Sequence, residues 1–130
     1  MNQLQQRKSA SAVGKSVLIV EDDDALNFLL QEIFQDETPY QVYCAQNGTE
    51  ALTQLDTVTP QLFLVDYHLP GMNGIELAQQ IQHIAGYEQI PILLLSADLP
   101  PAYYNNYHVT QVKKPFDLDE LLNLVTTLLR

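Results

Sequence analysis

The chain has 130 residues, 46% of them hydrophobic, which is enough for one domain with a buried core and excludes wholesale disorder. Sixteen acids against 6 bases give a formal charge of −10, and three of the bases (Arg7, Lys8 and Lys15) fall in the first fifteen residues, which hold no acid. From Ser16 onward 3 bases face 16 acids, a balance that excludes nucleic acid as a partner and suits a cation site or a basic protein face.

No apolar run reaches the roughly 18 residues that span a bilayer, and the N-terminus lacks the apolar core of a secretion signal. Insertion in a membrane is therefore excluded and a cytoplasmic location expected. A lone cysteine, Cys44, cannot form an internal disulfide and reads as a small buried hydrophobe in a strand.

Residues 1–15, rich in Gln, Ser and Ala, read as a flexible tail, and residues 16–130 as one domain. Val17-Leu18-Ile19-Val20 has the pattern of a strand buried on both faces. It runs into Glu21-Asp22-Asp23-Asp24, where an aspartate caps a helix with apolar Ala25, Leu26, Leu29, Leu30, Ile33 and Phe34. Tyr40 to Ala45 alternates as a strand, and Asn47-Gly48 breaks the chain before a short helix carrying Ala51, Leu52 and Leu55.

Gln61 to Val65 is a third strand ending at Asp66. Pro70-Gly71 turns the chain into a helix marked by Ile75, Leu77, Ala78 and Ile81. Ile90 to Leu95 is the fourth strand, with Pro91 tolerated near its start. Val109 to Val112 is a weaker fifth, and a last helix begins near Asp117 with Leu121, Leu122, Leu124, Val125 and Leu128 apolar. Strands alternating with helices imply right-handed βαβ units. The expected fold is a flavodoxin-like, doubly wound parallel sheet in strand order 2-1-3-4-5 with helices on both faces.

Such sheets bind ligands beyond the carboxyl ends of the strands, where the order reverses. Glu21 and Asp22 follow the first strand, Asp66 the third, Ser96 the fourth and Lys114 the fifth. Three carboxylates gathered there repel one another by roughly 4 kcal/mol per pair at 4 Å, so a proton or a hard cation must join them. An amine and a hydroxyl beside them suit a transferring phosphoryl group with an aspartate as covalent acceptor. Each piece alone has a plainer use: an acidic run caps helices, and Lys-Pro is an ordinary strand exit. It is their order along a five-unit pattern that points to a site.

The segments Val17-Leu18-Ile19-Val20-Glu21-Asp22-Asp23, Leu64-Val65-Asp66-Tyr67-His68-Leu69-Pro70-Gly71-Met72-Asn73-Gly74, Leu95-Ser96-Ala97 and Lys114-Pro115-Phe116 resemble the receiver domains of two-component response regulators. The resemblance implies that Asp66 is the phosphoacceptor. It implies that Mg²⁺ (or Mn²⁺) is bound by Asp22, Asp66 and the backbone carbonyl of His68, with Glu21 acting mainly through metal-bound water. Ser96 would hydrogen-bond the phosphoryl group and Lys114 would pair with Asp66. The implied phosphodonor is a histidine kinase or histidine phosphotransfer protein, and the output is contact with a further protein. The chain would be a switch rather than an enzyme, though one that assists its own metal-dependent phosphorylation and dephosphorylation.

Two features depart from that family. Gln111 stands where an aromatic residue is usual, three positions before Lys114, and the Ser96–Lys114 span is short and holds Pro100-Pro101. The helix of that span is therefore expected to be short, displaced or absent, with Tyr103, Tyr104 and Tyr107 packing in its stead or, as the second reading, forming an aromatic partner-binding surface. His68 is read as a solvent-facing residue that tunes phosphoryl hydrolysis, and His83 and His108 as surface residues. These departures motivate an alternative, a receiver-like module that binds protein without phosphorylation. A metal-dependent phosphohydrolase of the haloacid-dehalogenase kind ranks third, because it needs a second acid where this chain has His68.

Overall fold

The apolar runs form five parallel strands, β1 (Ser16–Val20), β2 (Gln41–Ala45), β3 (Leu62–Asp66), β4 (Ile92–Ser96) and β5 (Val109–Lys113). They lie in the order β2-β1-β3-β4-β5 in the computed structural model, which describes residues 14–98 and 108–130. Register follows the sequence pattern: Val17 to Val20 pair with Leu62 to Val65 on one side, and Val17 to Val20 with Val42 to Ala45 on the other. The expectations for the tail before Gly14, and for Pro100, Pro101, Tyr103, Tyr104 and Tyr107, fall outside the described residues.

Four helices are described: α1 (Asp24–Glu37), α2 (Gly48–Gln54), α3 (Gly74–Gln82) and α4 (Leu118–Leu128). Each is opened by a side chain that accepts one of the first unpaired backbone N–H groups. Asp23 accepts from Leu26, Asn47 from Glu50, Asn73 from Glu76 and Asp117 from Glu120. Asn73 and Glu76 close a reciprocal capping box at the start of α3.

Because side chains alternate along a strand, the two faces of the sheet bury different residues. Leu18, Val20, Phe63, Val65 and Leu94 pack with Ala51 of α2 and with Ile75, Ala78 and Ile81 of α3. Val17, Ile19, Leu62, Leu64, Leu93 and Leu95 pack with Leu30 and Phe34 of α1 and with Leu121 and Val125 of α4. Burying both faces stiffens β1 and β3, whose ends therefore hold their carboxylates at fixed positions.

The sequence pattern of α1 needs correction. Ala25 and Leu29 are exposed, and the buried positions are Asn27, Leu30 and Phe34. Asn27 is on the inner face because its Nδ2 ties two ends together, donating to Glu21 O at 2.8 Å and to Ala45 O at 3.3 Å. Phe28 and Leu29 are turned to solvent instead, 61% and 48% exposed. Cys44 is only half-buried, since β2 is an edge strand, and burial pushes its thiol up to about 12. Lys15, counted in the tail by composition, is held at both ends. Its carbonyl accepts from Gln41 N at 3.1 Å and its ammonium donates to Leu129 O.

Candidate functional site

The order of the sheet reverses between β1 and β3, and both strands end in acid at the same edge. Asp66 is the last residue of β3 and Glu21 directly follows β1; both are buried, while Asp22 is exposed. Carboxylate oxygens of Glu21, Asp22 and Asp66 lie within 4.8 Å of one another. Across from them, Lys114 Nζ is 2.7 Å from Asp66 Oδ1 and 3.7 Å from Glu21 Oε1. Lys114 is placed there by the end of β5, where its own N–H donates to Ser96 O at 2.8 Å.

One ammonium cannot neutralise three carboxylates. Burial pushes the Glu21 carboxyl up to about 6; the N–H of Asp23 opposes that rise and the charge of Asp66 adds to it. Glu21 Oε2 accepts that N–H at 3.0 Å, but the buried Oε1 has no hydrogen-bond donor among the described residues. Burial lowers the Lys114 ammonium, but the carboxylates of Asp66 and Glu21 outweigh it, so the net direction is upward and it stays charged. An all-oxygen donor set with excess negative charge and an orphaned buried oxygen fits a hard divalent cation.

The residues after Asp66 frame the opening. Tyr67 N donates to Leu95 O at 2.8 Å, Gly74 N donates to Tyr67 O at 2.8 Å, and the intervening loop carries His68 at the surface. The Tyr67 and His68 rings meet edge to face with centroids 4.9 Å apart. Gly74 is required by close approach, because a Cβ there would lie 2.6 Å from Asp66 O and 2.6 Å from Leu94 Cδ1.

Glu21, Asp22, Asp66 and Lys114 are thus gathered at one point. Ser96, at the end of β4, is buried and donates from Oγ to Asp98 O. Ala97, beside it, is exposed and small. His83 and His108 lie elsewhere on the surface. Asn27, which anchors the Glu21 backbone, was missed from sequence because nothing marks a lone Asn inside an amphipathic helix.

The family model of the response regulator receiver domain matches residues 17–126. Sporulation initiation phosphotransferase F of Bacillus subtilis is 33% identical over 117 residues, covering 87% of this chain and 92% of that protein. The DNA-binding transcriptional regulator NtrC of Klebsiella pneumoniae is 31% identical, but this chain spans only 23% of its length. Among solved structures, response regulator protein TrrA of Thermotoga maritima, in complex with Mg(2+)-BeF, superposes with a TM-score of 0.72. The two are 31% identical over 88% of this chain and 98% of that one.

Proposed function

Because the chain belongs to the response regulator receiver domain family of two-component signalling, we propose that it is a phosphoacceptor switch with Asp66 as the acceptor. A carboxylate oxygen of Asp66 attacks the phosphorus of a phosphohistidine on a histidine kinase or phosphotransfer protein. The P–N bond breaks, the imidazole leaves with the electron pair, and an aspartyl phosphate forms. Mg²⁺ or Mn²⁺ would be held by Asp22, Asp66 and the carbonyl of His68, with Glu21 through water, and supplies positive charge against the phosphoryl oxygens.

The observation that carries this reading is the buried carboxylate of Asp66, 2.7 Å from Lys114 and clustered with Glu21 and Asp22. Lys114 holds that carboxylate in place through the 2.7 Å contact, then follows the charge as it passes to the phosphoryl oxygens. Ser96 Oγ would leave its acceptor, Asp98 O, for a phosphoryl oxygen. Small Ala97 keeps the approach open.

Phe28 and Leu29 on α1, one turn beyond the Asp23 cap, offer an apolar contact in an acidic surround of Asp24 and Glu32. That chemistry suits the helix of a phosphodonor bearing basic residues around an apolar pocket. The cytoplasm, where such donors present their phosphohistidine, is the expected compartment. The signal then leaves through contact with a further protein.

The test is intact mass after incubation with a small acyl phosphate. Wild type should gain one phosphoryl group with Mg²⁺ and none with EDTA. No gain, together with no binding of beryllofluoride, would favour the alternative that Gln111 motivates, a receiver-like module that binds its partner without phosphorylation.

A further inference from the structure

We propose that Met72 is a positioning residue for the metal site, and that Gly48 of α2 is the seat that holds it; this rests on the reading of Asp66 and its neighbours as a Mg²⁺ site. The loop from Tyr67 to Asn73 carries the His68 carbonyl and is pinned at both ends. Tyr67 N is bonded to Leu95 O, and Asn73 is locked by its capping box with Glu76. Between those ends His68, Pro70 and Gly71 are exposed, and Gly71 has φ +82°. Only Leu69 and Met72 of this middle stretch pack on the core shared by α2 and α3.

The Met72 seat is specific. Gly48 is buried, and a Cβ there would meet Met72 Cγ and Sδ at 2.6 Å and Cε at 3.2 Å. The thioether thus occupies the space that any side chain at 48 would fill, and Gln80 Nε2 lies 3.7 Å from its sulfur. Through this contact α2, which contributes no carboxylate to the cluster, bears on the loop that would present the His68 carbonyl.

The geometry supplies a lever that separates positioning from folding. The three atoms nearest a methyl group at 48 all belong to the Met72 side chain, from Cγ outward, so Gly48→Ala must displace Met72, and the urea midpoint reads what that costs the fold. The test is a calorimetric Mg²⁺ titration of the full chain, with a urea midpoint for each variant measured in EDTA. Gly48→Ala and Met72→Ala should each weaken Mg²⁺ binding about tenfold, the low end of what losing an outer-shell support costs. Met72→Leu, which refills the seat, should bind as wild type does. In the Met72→Ala background Gly48→Ala should weaken binding no further, since the contact is already gone.

Dissociation constants for Gly48→Ala and Met72→Ala within twofold of wild type would overturn the proposal, whatever happens to the urea midpoints. If Met72→Ala does not fold, Gly48→Ala alone decides. Wild type that binds no Mg²⁺, behaving as an Asp22→Ala control, overturns the metal site itself. Binding by wild type that the variants leave unchanged overturns only the role of Met72.

Discussion

Replacing Glu21 by glutamine should make the metal-free protein more stable at neutral pH. Glu21 is buried, its carboxyl is raised from 4.5 to about 6, and its Oε1 lacks a hydrogen-bond donor among the described residues. The folded chain therefore holds this proton more tightly than the unfolded chain does. Stability from this group is present below pH 4.5 and is lost as pH rises through about 6. At 1.36 kcal/mol per pKa unit the loss is about 2 kcal/mol. The glutamine side chain keeps an oxygen for the Asp23 N–H and carries no charge, so Glu21→Gln should gain about 1–2 kcal/mol at pH 7.5 in EDTA. The gain should shrink to near zero by pH 4.5. Saturating Mg²⁺ should reverse the order, because the cation stabilises wild type by mass action and binds the variant less well. Urea unfolding followed by circular dichroism across pH 4.5–7.5, with EDTA or Mg²⁺, measures each of these. A variant less stable than wild type at pH 7.5 in EDTA, or a difference that does not change with pH, would refute the reasoning.

Gly74→Ala drives a methyl group against Asp66 O and Leu94, both 2.6 Å from its position; it should cost about 1–3 kcal/mol in thermal or urea unfolding and slow phosphorylation by shifting the acceptor. Lys114→Met removes the only cation among the described residues within 4 Å of the Asp66 and Glu21 carboxylates. Phosphoryl gain by intact mass should fall steeply, while calorimetry should find Mg²⁺ bound at least as tightly as in wild type. Phe28→Ala, at a position 61% exposed, should leave the urea midpoint within about 0.5 kcal/mol of wild type. Transfer from a phosphohistidine protein should slow about tenfold, and labelling by a small donor should not change.

The sheet was legible because burial on both faces writes strands as continuous apolar runs, as in Val17 to Val20 and Leu62 to Val65. The topological rule for open parallel sheets then places Glu21, Asp22 and Asp66 at one edge from their positions in the chain alone. Local polarity misled the reading of α1. Asn27 is buried for its bonds to Glu21 O and Ala45 O, and Ala25 and Leu29, read as apolar positions, are exposed, while Leu30 and Phe34 are buried as expected. The seat of Met72 on Gly48 joins residues 24 apart in sequence through a missing Cβ, a contact that neither periodicity nor motif encodes. Lys15 likewise reads as tail by composition, but its bond to the carbonyl of Leu129 ties it to the opposite end of the chain.

The most direct test is to locate the phosphoryl group. The protein is labelled by a phosphohistidine donor in Mg²⁺, reduced with borohydride, which converts an aspartyl phosphate to homoserine, and its peptides are mapped by mass. Homoserine at position 66 of wild type, absent without donor and from Asp66→Asn, is the predicted result. Unmodified Asp66 with label at another residue, or with no label on the chain at all, would contradict the account.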